Sequence, residues 1–149
     1  MGAGKVETFS QLRAGESLRI RFTSGGCFHF YTYDLTFEVT DGARVSVTSV
    51  ELDWSQADRA YHDGTKANLG ELSLSSADLA GLDALLAFYR TTSGGGCTKK
   101  DKIEICQLRD GHVIAREEFA DGSCAASKVS GVLTIPALAH RLAPPLPGS

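Results

Sequence analysis

From Tyr31 to Thr40 the chain puts an apolar or aromatic side chain at every odd position (Tyr31, Tyr33, Leu35, Phe37, Val39) and a polar one at every even position. Successive side chains of a strand point to opposite faces, so this alternation suits a strand with one dry face and one wet face. A helix cannot bury such a pattern on one side. The chain is therefore committed to a sheet covered on one face, the usual state of antiparallel sheets.

The flanking residues extend the sheet. Leu18, Ile20 and Phe22 alternate with Arg19, Arg21 and Thr23, and after Asp41-Gly42 the apolar Val45 and Val47 alternate with Arg44, Ser46 and Thr48. A two-residue turn would set Phe37 against Ser46 and cross the faces. A three-residue loop, Thr40-Asp41-Gly42 with Gly42 left-handed, sets Val39 opposite Ala43, Phe37 opposite Val45 and Leu35 opposite Val47. The apolar phase then moves to Val50, Leu52 and Trp54, which predicts a bulge or bend near Thr48-Ser49 that curls the sheet.

Ser55 to Leu69 is polar and rich in turn formers, so it reads as a long loop, and loops of that length usually carry function. Ser75 followed by Asp78 is a capping-box pattern, and Leu79, Leu82, Leu85, Leu86 and Tyr89 form a stripe at helical spacing. Together they predict one long helix over about residues 76–92, stopped by Gly94 and packed across the sheet. A second hairpin, Lys102 to Leu108 and His112 to Phe119, follows around Arg109-Asp110-Gly111. A three-residue loop there opposes Ile105 to Ala115 and Glu104 to Arg116, the choice favoured by charge. Lys128 to Ile135 reads as a last strand before Pro136, and Ala137 to Leu142 as a short terminal helix.

The expected fold is thus α+β. A single domain over residues 1–142 holds a curved, mostly antiparallel sheet of two hairpins plus further strands, packed on one long helix and stapled by disulfides. A β-sandwich or a half-open barrel with one helix is the alternative. Residues 143–149 are expected to be a disordered proline-rich tail. With 149 residues, 42% of them hydrophobic, the chain is large enough for one real core.

Charge and composition exclude several functions. A net charge of -3, from 15 basic and 18 acidic residues spread along the chain, leaves no footprint for nucleic acid. No apolar run approaches the roughly 20 residues that span a bilayer. The start, Met1 to Val6, has no apolar signal stretch, although a chain from which a leader had been removed would begin the same way. Four cysteines, Cys27, Cys97, Cys106 and Cys124, make an even number that points to an oxidising compartment, periplasmic or extracellular; a cytoplasmic chain with free thiols is the alternative. The second hairpin would bring Cys97 nearly opposite Cys124, the preferred bridge, worth about 3 kcal/mol by chain-entropy arguments. Cys27 with Cys106 follows by elimination.

The stretch Gly94-Gly95-Gly96-Cys97-Thr98-Lys99-Lys100 invites a phosphate-loop reading and fails it. No glycine precedes Lys99, no hydroxyl follows either lysine, and the order is helix, loop, strand rather than strand, loop, helix. Zinc would need Cys97, Cys106 and Cys124 with Cys27 and His29, but their spacings do not form knuckles. The four Asp-Gly pairs lack the alternating carboxylates of a calcium loop. No cofactor or metal is expected.

The four histidines, His29, His62, His112 and His140, come with no nucleophile elbow and no metalloprotease or deaminase pattern. His62 beside Asp63, and His29 among Phe28, Phe30, Tyr31 and Tyr33, are the acid or base candidates of a small hydrolase or ligand-binding protein. Trp54, Tyr61 and His62 in the polar stretch read instead as contact anchors. The expectation is a small exported bacterial domain, not an enzyme, that binds another protein as an inhibitor, an immunity-type factor or an envelope accessory.

Overall fold

The computed structural model describes residues 4–26, 30–92, 96 and 99–142. Six strands form one antiparallel sheet: β1 (Glu16–Gly25), β2 (Phe30–Val39), β3 (Ala43–Ser55), β4 (Ala60–Leu74), β5 (Lys100–Arg109) and β6 (His112–Asp121). Their order is β4-β3-β2-β1-β5-β6, so β4 and β6 are the edges and the sheet is open, neither a sandwich nor a barrel.

Register assigns each face. Leu18, Ile20 and Phe22 of β1 lie beside Phe37, Leu35 and Tyr33 of β2, and beside Gln107, Ile105 and Ile103 of β5. This face meets Leu82, Leu85, Leu86 and Tyr89 of helix α1 (Ser76–Thr91) in the main core. The first hairpin has the register that face matching requires, Val39 opposite Ala43 and Phe37 opposite Val45, although Gly42 is not among the left-handed glycines. At the start of α1, Ser75 and Asp78 form the reciprocal capping box, with bonds of 3.1 and 3.0 Å.

The expectation that one helix alone packs on the sheet needs correction. The short terminal helix expected over Ala137 to Leu142 is present as α2 (Ile135–Leu142), and it too buries Ile135, Leu138 and Ala139 against the same core. Width explains why: six strands at about 4.8 Å spacing present a face well over 20 Å across, whereas one helix covers about 10 Å. Val6, Phe9 and Leu12 of the lead-in cover more of that face. Residues 128–135 form no strand; they run through a 3-10 turn at Ala126–Lys128 into α2.

The disulfide staple is also corrected. Cys106 is a free thiol, so the Cys27–Cys106 pairing does not form and the four cysteines are not all paired. No disulfide joins two of the described residues; Cys27 and Cys97 lie outside them, as do His29 and the tail at 143–149.

The second hairpin turns in two residues rather than three. Asp110 and Gly111 have φ of 52° and 79°, the left-handed pair of a tight primed turn whose twist matches the strands. A register shift after Gln107 then sets Ile105 opposite Glu117 and Glu104 opposite Glu118, against the expectation from charge. Turn geometry outweighed a cross-strand ion pair worth only a few tenths of a kcal/mol on a wet face.

Candidate functional site

The predicted loop from Ser55 to Leu69 is mostly strand. β3 leaves β2 after the Val50–Thr32 pair, but continues paired with β4 to Ser55–Ala60, closed by a turn at residues 56–59. Residues 51 to 66 therefore form a two-stranded arm beyond the sheet. Its β4 half is exposed on both faces at most positions, so it lacks the alternation that marks a half-buried strand.

The phase change at Val50 has a different cause from the expected bulge in β3. Pairing of β3 with β2 is unbroken from Ala43 to Val50, so Val50 lies on the face opposite Val45 and Val47. The register shifts fall opposite Val47/Thr48 and Val50/Leu52, where β4 carries the extra residues, the first beside Gly70 with φ 127°. Bulges of this kind raise twist and bend a ribbon. Val50 and Thr32 are buried on this second face, 3% and 1% exposed, outside the main core cluster.

Arg21 shows where the arm goes. On β1, its Nε and Nη2 donate to the two carboxylate oxygens of Asp34 at 2.7 and 2.8 Å, and its Nη1 and Nη2 donate to those of Asp63 on the arm at 2.9 and 2.8 Å. β4 is three strands from β1, roughly 14 Å in a flat sheet. The arm therefore curls across the second face until one guanidinium bridges both carboxylates. Hydrogen bonding to Arg21 holds the Asp63 carboxyl down to about 2, and the two carboxylates hold the Arg21 guanidinium above its ordinary value.

The clamp holds an aromatic cluster in place. Trp54 and Tyr61 are a cross-strand pair with ring centroids 5.0 Å apart, and Phe30 from β2 stacks on Tyr61 at 5.1 Å. All three are about half exposed, at 49%, 52% and 50%. Trp54 and Tyr61 stand together as the sequence suggested. Phe30 was missed because it reads as strand filler next to Tyr31, and only the curl of the arm brings it to Tyr61.

His62 does not join Asp63. Adjacent strand residues point to opposite faces, and His62 Nε2 instead meets Asp58 Oδ2 at 2.5 Å across the turn, with both side chains more than half exposed. His62 thus meets a carboxylate other than the one the hydrolase reading named, on the open tip of the arm. Among the described residues no group of three or more His, Cys, Asp or Glu could hold a metal, and no helix is long and apolar enough to cross a membrane. Compared with family models, curated proteins and solved structures, the chain gives no match.

Proposed function

We propose that the chain is a protein-binding domain without a reaction of its own, and that its contact surface is the β3–β4 arm with Trp54, Tyr61 and Phe30 as anchors. The observation that carries this reading is the exposure of three mutually packed aromatic rings on an arm braced by Arg21. A cross-strand aromatic pair would stabilise the arm by itself by about 0.5–1.5 kcal/mol. Half-exposing a third ring from another strand adds little to that.

The three rings leave on the order of 300 Å² of apolar surface in water, the size of the functional patches seen on monomers. Covering it would release roughly 7 kcal/mol at 25 cal/mol per Å², before the costs of association. Bracing matters because anchors held in place before contact lose less conformational entropy on binding.

Affinity capture from the source cells, comparing the native chain with a Trp54→Ala, Tyr61→Ala double variant of unchanged thermal stability, tests this directly. The native chain should retain a discrete partner that the variant loses, and with the purified partner the dissociation constant should rise at least about 30-fold, the effect of losing a hot spot. Equal capture by both chains would refute the proposal.

A further inference from the structure

The aromatic cluster of the arm does not end at Phe30. Phe30 of β2 lies opposite Gly25 of β1, and Gly25 lies opposite Lys100 of β5, so the three stand in one cross-strand row on the second face. Thr23, Lys102 and Ala120 form the next row on that face. These six residues line a groove of about 480 Å³, and Phe30 is shared between the groove and the stack with Tyr61.

Gly25 is what opens the groove. Both ladders of β1 reach it without a register shift and its φ is not left-handed, so neither a bulge nor a turn requires glycine here. A Cβ built on it would make only ordinary contact with the Phe30 ring, at 3.4 Å. The missing side chain therefore leaves a gap between an aromatic wall and an ammonium group, two strand spacings or about 10 Å wide. Glycine within a strand often marks such a close approach by a ligand.

The charges around the groove do not balance. Glu104 is 3.3 Å from Lys102, Glu118 accepts from Arg116 at 2.7 Å, and Asp101 has Lys99 at 3.7 Å and accepts from Ser24 Oγ at 2.7 Å. Each carboxylate thus has a cation, while Lys100, exposed at the end of the row, has no carboxylate among the described residues. An uncommitted cation beside an apolar seat is complementary to an occupant that carries a negative charge next to an apolar group.

We propose that the groove receives an extended peptide segment of the partner, in which apolar side chains lie over the rings and a carboxylate reaches Lys100. This rests on the reading of the arm as a contact surface and adds the chemistry of what it contacts. Ring centroids 5.0 and 5.1 Å apart carry the path from Trp54 through Tyr61 to Phe30. The Gly25 gap carries it on to Lys100, about 20 Å in all, the length of about six extended residues. The path crosses the strands, so side chains hold the segment and it does not join the sheet as a further strand. A nucleic-acid backbone would need several cations to neutralise its phosphates, and the groove has one uncommitted.

Titration of the full chain, followed by amide chemical shifts, tests this with a hexapeptide of alternating leucine and threonine ending in phenylalanine and glutamate, blocked at both termini. Control peptides carry glutamine or lysine in place of the glutamate. Saturable shifts at residues 23, 25, 30, 54, 61 and 100 are expected with the glutamate peptide, with binding about threefold weaker for glutamine and about tenfold weaker for lysine. Lys100→Glu should reverse the order, so that the lysine peptide binds more tightly than the glutamate one. Gly25→Val, which fills the gap, should weaken the glutamate peptide at least about tenfold. If Gly25→Val does not fold, Lys100→Glu, an exposed change, carries the test. Absence of saturation, an order that Lys100→Glu leaves unaltered, or shifts confined to Trp54 and Tyr61 would overturn the proposal. So would a concentration-dependent dimer that Lys100→Glu disrupts, which would assign the groove to a second copy of the chain. Partner capture lost with Trp54→Ala, Tyr61→Ala but unchanged with Lys100→Glu keeps the arm and removes the groove, whereas equal capture by the native chain and the double variant removes the arm itself.

Discussion

Replacing Asp63 by Asn removes one carboxylate from the Arg21 clamp while keeping the side chain's shape, and Arg21 remains held by Asp34. The change therefore acts on the arm and leaves the core untouched. Asp63 is held at about 2 against an ordinary 3.8, a difference worth about 2 kcal/mol if fully expressed. The Asp63 side chain is 36% exposed and that of Arg21 33%, so solvent screening reduces this to about 1 kcal/mol. Because the folded value lies below the unfolded one, the stabilisation is complete above 3.8 and disappears as the pH falls through about 2. Denaturant unfolding of native and Asp63→Asn chains across that interval reads the difference. Amide exchange at 51–55 and 60–66 should quicken about fivefold in the variant near neutral pH. No stability gap at neutral pH, or a gap that does not shrink below 3.8, would refute the clamp as the brace of the arm.

Phe37 is fully buried and packs edge-on against Phe9 with centroids 5.2 Å apart, so Phe37→Ala should cost about 3–5 kcal/mol in denaturant unfolding. Ser75→Ala removes the oxygen that accepts from the Asp78 N–H at 3.1 Å, and should lower stability by about 1 kcal/mol, with exchange quickened in the first turn of α1. Cys106, free and half-buried, lines a cavity of about 380 Å³ on the second face with Arg21 and Asp34, so iodoacetamide should alkylate it in the folded protein, as read by intact mass. Protection of Cys106 until denaturant is added would place the thiol deeper than described.

Elements with a local signature were legible in the sequence. The first hairpin could be set to the residue because both of its strands have one buried face, so a slip by one residue would expose Phe37 and Val45. Helix α1 could be placed because its cap and its stripe both lie within its own residues. The second hairpin failed because its wet-face charges were weighed above turn geometry, although Asp110-Gly111 carried the two-residue signal. The candidate sites were legible only as fragments. Trp54 and Tyr61 stood out as aromatics in a polar stretch, whereas Phe30, and the pairing of Arg21 with Asp63, depend on how far the arm curls.

The sequence alone determined an antiparallel sheet with one wet face and a capped helix across its dry one, because alternation and capping act between residues near each other in the chain. The tertiary structure decided the rest. Long-range packing turned a polar stretch into a braced arm, laid the terminal helix on the core beside α1 to cover six strands, and set Asp101, Asp121 and Tyr89 around one cavity. Residues so far apart in the chain meet only through the sheet, and no local pattern records which strands become neighbours.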